Sequence, residues 1–176
     1  KTAKAVNIEA IKIYLNKGIS VIPIVYKGKK ALIKWAPFQQ SLANINDAQN
    51  WLTKFHSINI AAVCGQISRI IVLDFDSTDA LKHAKKHNLL NTPLVKTSKG
   101  IQAYFAFKDG VKNSVRIGII PDTDIRSTGG YVILPPSIHP SGHQYCWIKG
   151  HCLNDLPLAE FPDWLFKALL QKKPSI

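Results

Sequence analysis

The residues with the clearest chemical potential in this chain are two carboxylates two positions apart, Asp74-Phe75-Asp76, ending the apolar run Ile70-Ile71-Val72-Leu73. Such a run reads as a buried strand. Side chains two apart on a strand share a face, so Asp74 and Asp76 project together, about 6–7 Å apart along the chain. Like charges side by side on a core strand repel and lose hydration. A cation removes that penalty, which makes the pair a candidate divalent-metal site and points to phosphate chemistry. The competing reading of Asp76 is a cap for a helix opening at Ser77-Thr78.

A third carboxylate stands in Asp122-Thr123-Asp124-Ile125-Arg126, followed by Ser127-Thr128-Gly129-Gly130-Tyr131. Two-metal phosphoryl transfer draws carboxylates from separate segments onto ions about 4 Å apart. An Arg and a Gly-rich turn beside them suit a triphosphate, through charge and backbone N–H groups. Lys96-Thr97-Ser98-Lys99-Gly100 packs two cations, two hydroxyls and a glycine into a tight turn. That is phosphate-binding chemistry, although it matches no P-loop and a solvated hairpin tip accounts for it equally well.

The elements that must position these groups follow from periodicity. Asn7 to Lys17 reads as an amphipathic helix through Ile8, Ile11 and Leu15, stopped by Gly18. Ile19 to Val25 is a strand, and Lys27-Gly28-Lys29-Lys30 a basic turn. Asn46, with Gln49 three residues on, forms a capping box for a helix through Phe55. Ile58 to Val63 is a strand, Cys64-Gly65-Gln66 a turn, and the Asp74 strand comes next. Ser77 or Thr78 caps a helix over Asp79 to His87, whose lysines form its solvated face. Val95 to Thr97 and Ile101 to Phe107 form a hairpin. On its second strand Gln102 and Tyr104 lie opposite Ile101, Ala103, Phe105 and Phe107. Gly130 to Leu134 is a strand stopped by Pro135-Pro136. Pro162-Asp163 opens a last helix with Trp164, Leu165, Ala168 and Leu169 on its apolar side. This mixed order of hairpins and helices reads as α+β.

The chain has 176 residues, 46% of them hydrophobic, which fits one domain with a real core and argues against disorder. No apolar stretch approaches transmembrane length. The three cysteines include no CxxC pair, and a reducing, cytoplasmic setting is expected. Net charge is +12, from 23 Lys+Arg against 11 Asp+Glu, which suits a polyanionic partner. A biased genome drifting toward Lys, Asn and Ile would also raise the charge. Met is absent, and the chain is expected to be part of a longer protein.

Several stretches together carry a family resemblance. Ala10 to Pro23, Lys30, Trp35, the segment Trp51 to Ser68, Val72 to Asp76, Thr97 to Phe105, Asp124-Ile125-Arg126 with Gly129-Gly130-Tyr131, Pro135-Pro136-Ser137 and then His139, Gly142, Tyr145 and Trp147 occur in matching order. In these the chain resembles the primase–polymerase domain of the archaeo-eukaryotic primase superfamily, the type carried by plasmids, phages and mobile elements. The resemblance implies a small αβ lobe packed intimately against a lobe like an RNA-recognition module, over a single domain of residues 1–176 with the site between the lobes. It implies that Asp74, Asp76 and Asp124 hold two Mg²⁺ or Mn²⁺ ions and carry catalysis. Ser98, Lys99, Gly100, Gln102, Tyr104, Arg126, Ser137 and His139 would surround the nucleoside triphosphate. The implied reaction joins a nucleotide to a 3′-hydroxyl on single-stranded or primer–template DNA with release of pyrophosphate, in a replication protein with a fused or associated helicase.

One departure stands at position 102, where the family's phosphate-contacting His is Gln. Gln donates a hydrogen bond but carries no charge. A rival reading is therefore a catalytically weak member that holds single-stranded DNA or nucleotide within a replication initiator. A metal-dependent nuclease on the same carboxylates is a third. His139, His143, Cys146, His151 and Cys152 invite a zinc reading, weakened by the lack of a CxxC pair. Cys64 reads as a small buried residue, and His56, His83 and His87 as solvated. Trp35, Tyr104 and Tyr131 are candidates to stack on a base or sugar, while Phe38 is expected in the core.

Overall fold

The computed structural model describes residues 6–172. Two antiparallel sheets and four α-helices make an α+β fold, as expected. The first sheet has the order β1-β2-β7, from Val21–Val25, Ile58–Val63 and Tyr131–Leu134. The second has the order β6-β3-β5-β4-β8, from Thr123–Arg126, Ile70–Phe75, Ile101–Ala106, Leu94–Lys96 and Cys146–Trp147. Pro23 falls on β1, an edge strand, where its missing N–H leaves no gap in a ladder.

The helices are α1 (Ile8–Asn16), α2 (Ile45–Phe55), α3 (Thr78–Lys86) and α4 (Asp163–Gln171). Asn7 caps α1 through its side chain, which accepts from Ala10 N at 3.0 Å. The cap of α2 lies two residues before the expected one. Asn44 and Asp47, rather than Asn46 and Gln49, form the reciprocal capping box, each bond at 2.9 Å. A carboxylate in the first turn also meets the positive end of the helix dipole, which a Gln cannot do. Ser77 caps α3, its Oγ accepting from Ala80 N at 3.0 Å. Asp76 is thereby relieved of the capping role that competed with a chemical one.

The second sheet is covered on both faces, and this decides where the aspartates point. Ile71, Leu73 and Phe75 of β3 join Ala103, Phe105 and Ile125 in a core with Ala80 and Ala84 of α3 and Leu165 of α4. The alternate residues Ile70, Val72, Val95 and Tyr104 join the core built on the first sheet, with Ile22, Ile60 and Val132. The period of two turns Asp74 toward the first sheet as well. Near the end of β3 that inter-sheet core gives way to a cleft.

Candidate active site

The register places the polar residues in a grid. Asp74 on β3 pairs with Asp124 on β6 and with Gln102 on β5, so the three stand in one row across neighbouring strands. The next row is Arg126, Val72 and Tyr104. Asp76 lies just past the end of β3, its N–H donating to Asp122 O at 2.9 Å. Asp74, Asp76 and Asp124 each present a carboxylate oxygen, and these oxygens lie within 4.8 Å of one another. Among the described residues this is the one such grouping of three His, Cys, Asp or Glu side chains; the His/Cys set of the zinc reading does not form one.

The electrostatics are those of a site built for a cation. Burial, then the charges of Asp76 and Asp124, push the Asp74 carboxyl up to about 7, against the pull of Arg126. Asp74 Oδ1 is buried without a hydrogen-bond partner. Asp124 is better served: Arg116 N donates to its Oδ1 at 2.7 Å, and Arg126 Nη2 to its Oδ2 at 3.3 Å. An orphaned carboxylate oxygen facing two further carboxylates is the donor set that a hard divalent ion takes. The residues therefore fit a hard divalent cation.

Around the aspartates opens a cleft of about 440 Å³. Ser98, Lys99, Gln102, Arg126 and His139, all expected at the site, line it with Lys29, Asn113, Trp35, Tyr131 and Tyr145. Trp35 and Tyr131 meet edge to face with ring centroids 5.2 Å apart. Tyr131 is tied down by its hydroxyl, which donates to Lys29 O at 2.8 Å. His139 Nδ1 accepts from Ser141 N at 3.0 Å, which leaves the neutral ring's proton on Nε2. Burial, followed by the charges of Lys29, His143 and Lys99, lowers its pKa, which favours the neutral ring. Burial and the charges of Asp74 and Asp76 raise Tyr145 to about 12, so its hydroxyl keeps its proton.

Three residues expected around the nucleotide do not line the cleft. Ser137 is fully buried, accepting from Ile60 N at 2.9 Å and donating to Ile60 O at 3.2 Å. Tyr104 is also fully buried, tilted against Trp147 at 5.0 Å. It does share a strand face with Gln102, but two residues further along β5 that face is already covered by the first sheet. Gly100 acts through shape. A Cβ there would stand 1.8 Å from Phe75 O, so only glycine lets the turn lie across the end of β3. Thr97 closes the turn, its N–H donating to Gly100 O and its Oγ1 accepting from Gly100 N, both at 3.0 Å.

Asn59, buried on β2, explains how two distant loops reach one cleft. Its Nδ2 donates to Gly28 O at 3.2 Å and to Ile138 O at 2.8 Å, and its Oδ1 accepts from Ile138 N at 3.0 Å. One side chain thus pins the turn carrying Lys29 to the loop carrying His139. Sequence reasoning left Lys29 in an unassigned basic turn and missed Asn113 and Arg116. Arg116 had one available signal: it is one of only three arginines in a Lys-dominated basic set.

Other expectations find their places. Cys64 is buried with its thiol pKa raised by burial, an inert small side chain. Phe38 packs edge to face on Trp51 at 5.9 Å. His87 is exposed but lies against Trp164, ring centroids 4.7 Å apart, so the Trp164 ring is only partly covered. No helix among the described residues is long and apolar enough to cross a membrane.

No curated protein gives a significant match to the chain. The family model for the bifunctional DNA primase/polymerase N-terminal domain matches residues 11–164, from α1 into α4 and across every strand of the grid. The chain belongs to the bifunctional DNA primase/polymerase N-terminal family.

Proposed function

We propose that this domain is a template-dependent nucleotidyltransferase that extends a 3′-hydroxyl on single-stranded or primer–template DNA from nucleoside triphosphates. The observation that carries the reading is the convergence of three carboxylates from two strands on a cleft otherwise lined by cations and donors. Asp74, Asp76 and Asp124 would hold Mg²⁺ or Mn²⁺. Bound there, the divalent ions supply activation of the attacking hydroxyl and neutralisation of charge on the transferred and departing phosphates.

The chain's own residues do the rest. Lys99 and Arg126 offset negative charge on the triphosphate, and Lys29 extends that field to the mouth of the cleft. Ser98 and the Nε2–H of His139 donate neutral hydrogen bonds. Gln102 donates from its amide in place of a charged imidazolium. Trp35 and Tyr131 offer ring surface to a base or sugar. Gly100 and Ser137 support the site through the turn and the loop, and Tyr104 through the core between the two sheets.

The test is extension of a labelled primer on a template with Mn²⁺, beside the double variant Asp74→Ala, Asp76→Ala. Extension by the unaltered protein and none by the variant is expected. Absence of extension over a wide nucleotide range would sink the polymerase reading. The neutral amide of Gln102 favours one second reading, a weak catalyst that serves mainly to bind DNA or nucleotide. It predicts nucleotide-independent DNA binding without extension.

A further inference from the structure

Arg116 stands beside two of the three aspartates. Its Nη1 lies 3.6 Å from Asp76 Oδ2 and its Nε 3.9 Å from Asp124 Oδ1. Both distances exceed a hydrogen bond, and the side chain is 53% exposed. Half-exposed ion pairs of this kind contribute about 0–1 kcal/mol.

The backbone around it is fixed. Ser114 and Ile125 exchange both backbone hydrogen bonds at 2.8 Å, and Ile117 N donates to Thr123 O at 3.0 Å. The segment is thus laced along β6 on both sides of Arg116. Arg116 itself has φ of 50°, a left-handed conformation that costs a non-glycine residue energy. In that conformation its own N–H reaches Asp124 Oδ1 at 2.7 Å. The main chain is held to the carboxylate while the guanidinium lies within 4 Å of both Asp76 and Asp124. Arg126 is different: it is 28% exposed and hydrogen-bonded to Asp124 Oδ2.

We propose that Arg116 is a tethered counter-ion of the aspartate centre. Its guanidinium covers the Asp76–Asp124 opening in the metal-free protein, and a divalent ion enters by displacing it toward solvent while its backbone stays on Asp124. A divalent ion on Asp76 Oδ2 and Asp124 Oδ1 competes with the guanidinium for the same two oxygens, so metal binding works against the ion pairs of Arg116. Once released, the guanidinium is available to an anionic group at the mouth of the cleft. The inference rests on the metal-site reading of the three aspartates.

The test is Mn²⁺ binding without nucleotide or DNA, followed through the electron paramagnetic resonance of unbound Mn²⁺. Arg116→Gln is expected to tighten Mn²⁺ by about three- to five-fold, the worth of a half-exposed ion pair, and Arg116→Lys to stay near the unaltered protein. Equal or weaker binding by Arg116→Gln would overturn the counter-ion role. A second measurement needs no variant to fold: the ¹⁵N resonance of Arg116 Nε should shift when Mg²⁺ alone is added. A resonance that stays put until nucleotide arrives would also overturn the proposal and leave Arg116 a phosphate ligand. Failure of the unaltered protein to bind Mn²⁺, or equal binding by Asp74→Asn, would remove the metal-site reading itself. Tight Mn²⁺ binding with no effect at Arg116 would remove this inference alone.

Discussion

At the scale of single residues, Asp74 carries a measurable cost. Its carboxyl is raised from 3.8 to about 7 by burial and by Asp76 and Asp124. Between those two values the folded protein holds a proton that the unfolded chain has released. Stability from this group is therefore intact below the lower value and is lost as pH rises through the upper one. The metal-free protein is expected to lose about 5 °C in Tm between pH 5 and pH 8, beyond any loss in Asp74→Asn. Mn²⁺ should restore it at the higher pH. Parallel melting curves for the two proteins across that range would refute this account of Asp74. Gln102 poses the complementary question. It is 5% exposed, faces the cleft beside Asp74, and its Oε1 lacks a partner. Gln102→His should restore a charge-assisted donor and lower the apparent nucleotide KM by about three- to ten-fold. An unchanged or higher KM would show that the amide already serves.

At the scale of elements, the hairpin β4–β5 shows how local geometry sets the site. Gly100 lets the Thr97–Gly100 turn rest on the backbone carbonyl of Phe75, between Asp74 and Asp76. Gly100→Ala is expected to lift the turn, carry Lys99 away from the cleft and lower kcat/KM by about ten-fold or more, because small misplacements are costly. Mn²⁺ binding should persist, since no aspartate moves. Loss of Mn²⁺ binding in parallel would show that the turn holds the metal centre too. The elements also show what was legible in advance. β2, β3 and β5 are short, mostly apolar runs, legible as strands buried on both faces, and the period of two then groups their side chains by face. The three aspartates were readable because carboxylates on buried strands are costly and need a reason. Tyr104 was misread because period two gives the face of a strand but not how far along it a roof extends. Ser137, Asn59 and Arg116 depend on contacts between segments 77, 79 and 8 residues apart, which no local pattern encodes.

At the scale of the whole molecule, the charge of +12 has a direction. Three of the 11 acidic residues are gathered at the floor of one cleft, while Lys29 and Lys99 stand exposed in its lining. A nucleic acid drawn by the overall field meets cations first and carboxylates only at depth. Association with single-stranded DNA should weaken steeply with salt, each phosphate neutralised adding about 0.7 to the slope of log K against log salt. If the cleft edge carries the strand, Lys29→Ala and Lys99→Ala each reduce that slope by about 0.7. Lys167→Ala removes the same charge from α4, whose Leu165 joins the core on the opposite face of the second sheet. It pairs there with Asp163 at 2.9 Å and should leave the slope unchanged. Fluorescence anisotropy with a labelled oligonucleotide over a salt series reads all four proteins. Equal slopes throughout would mean that net charge acts diffusely and that Lys29 and Lys99 do not track the strand. A lower slope only for the two cleft lysines would place the strand along the mouth that opens onto Asp74, Asp76 and Asp124.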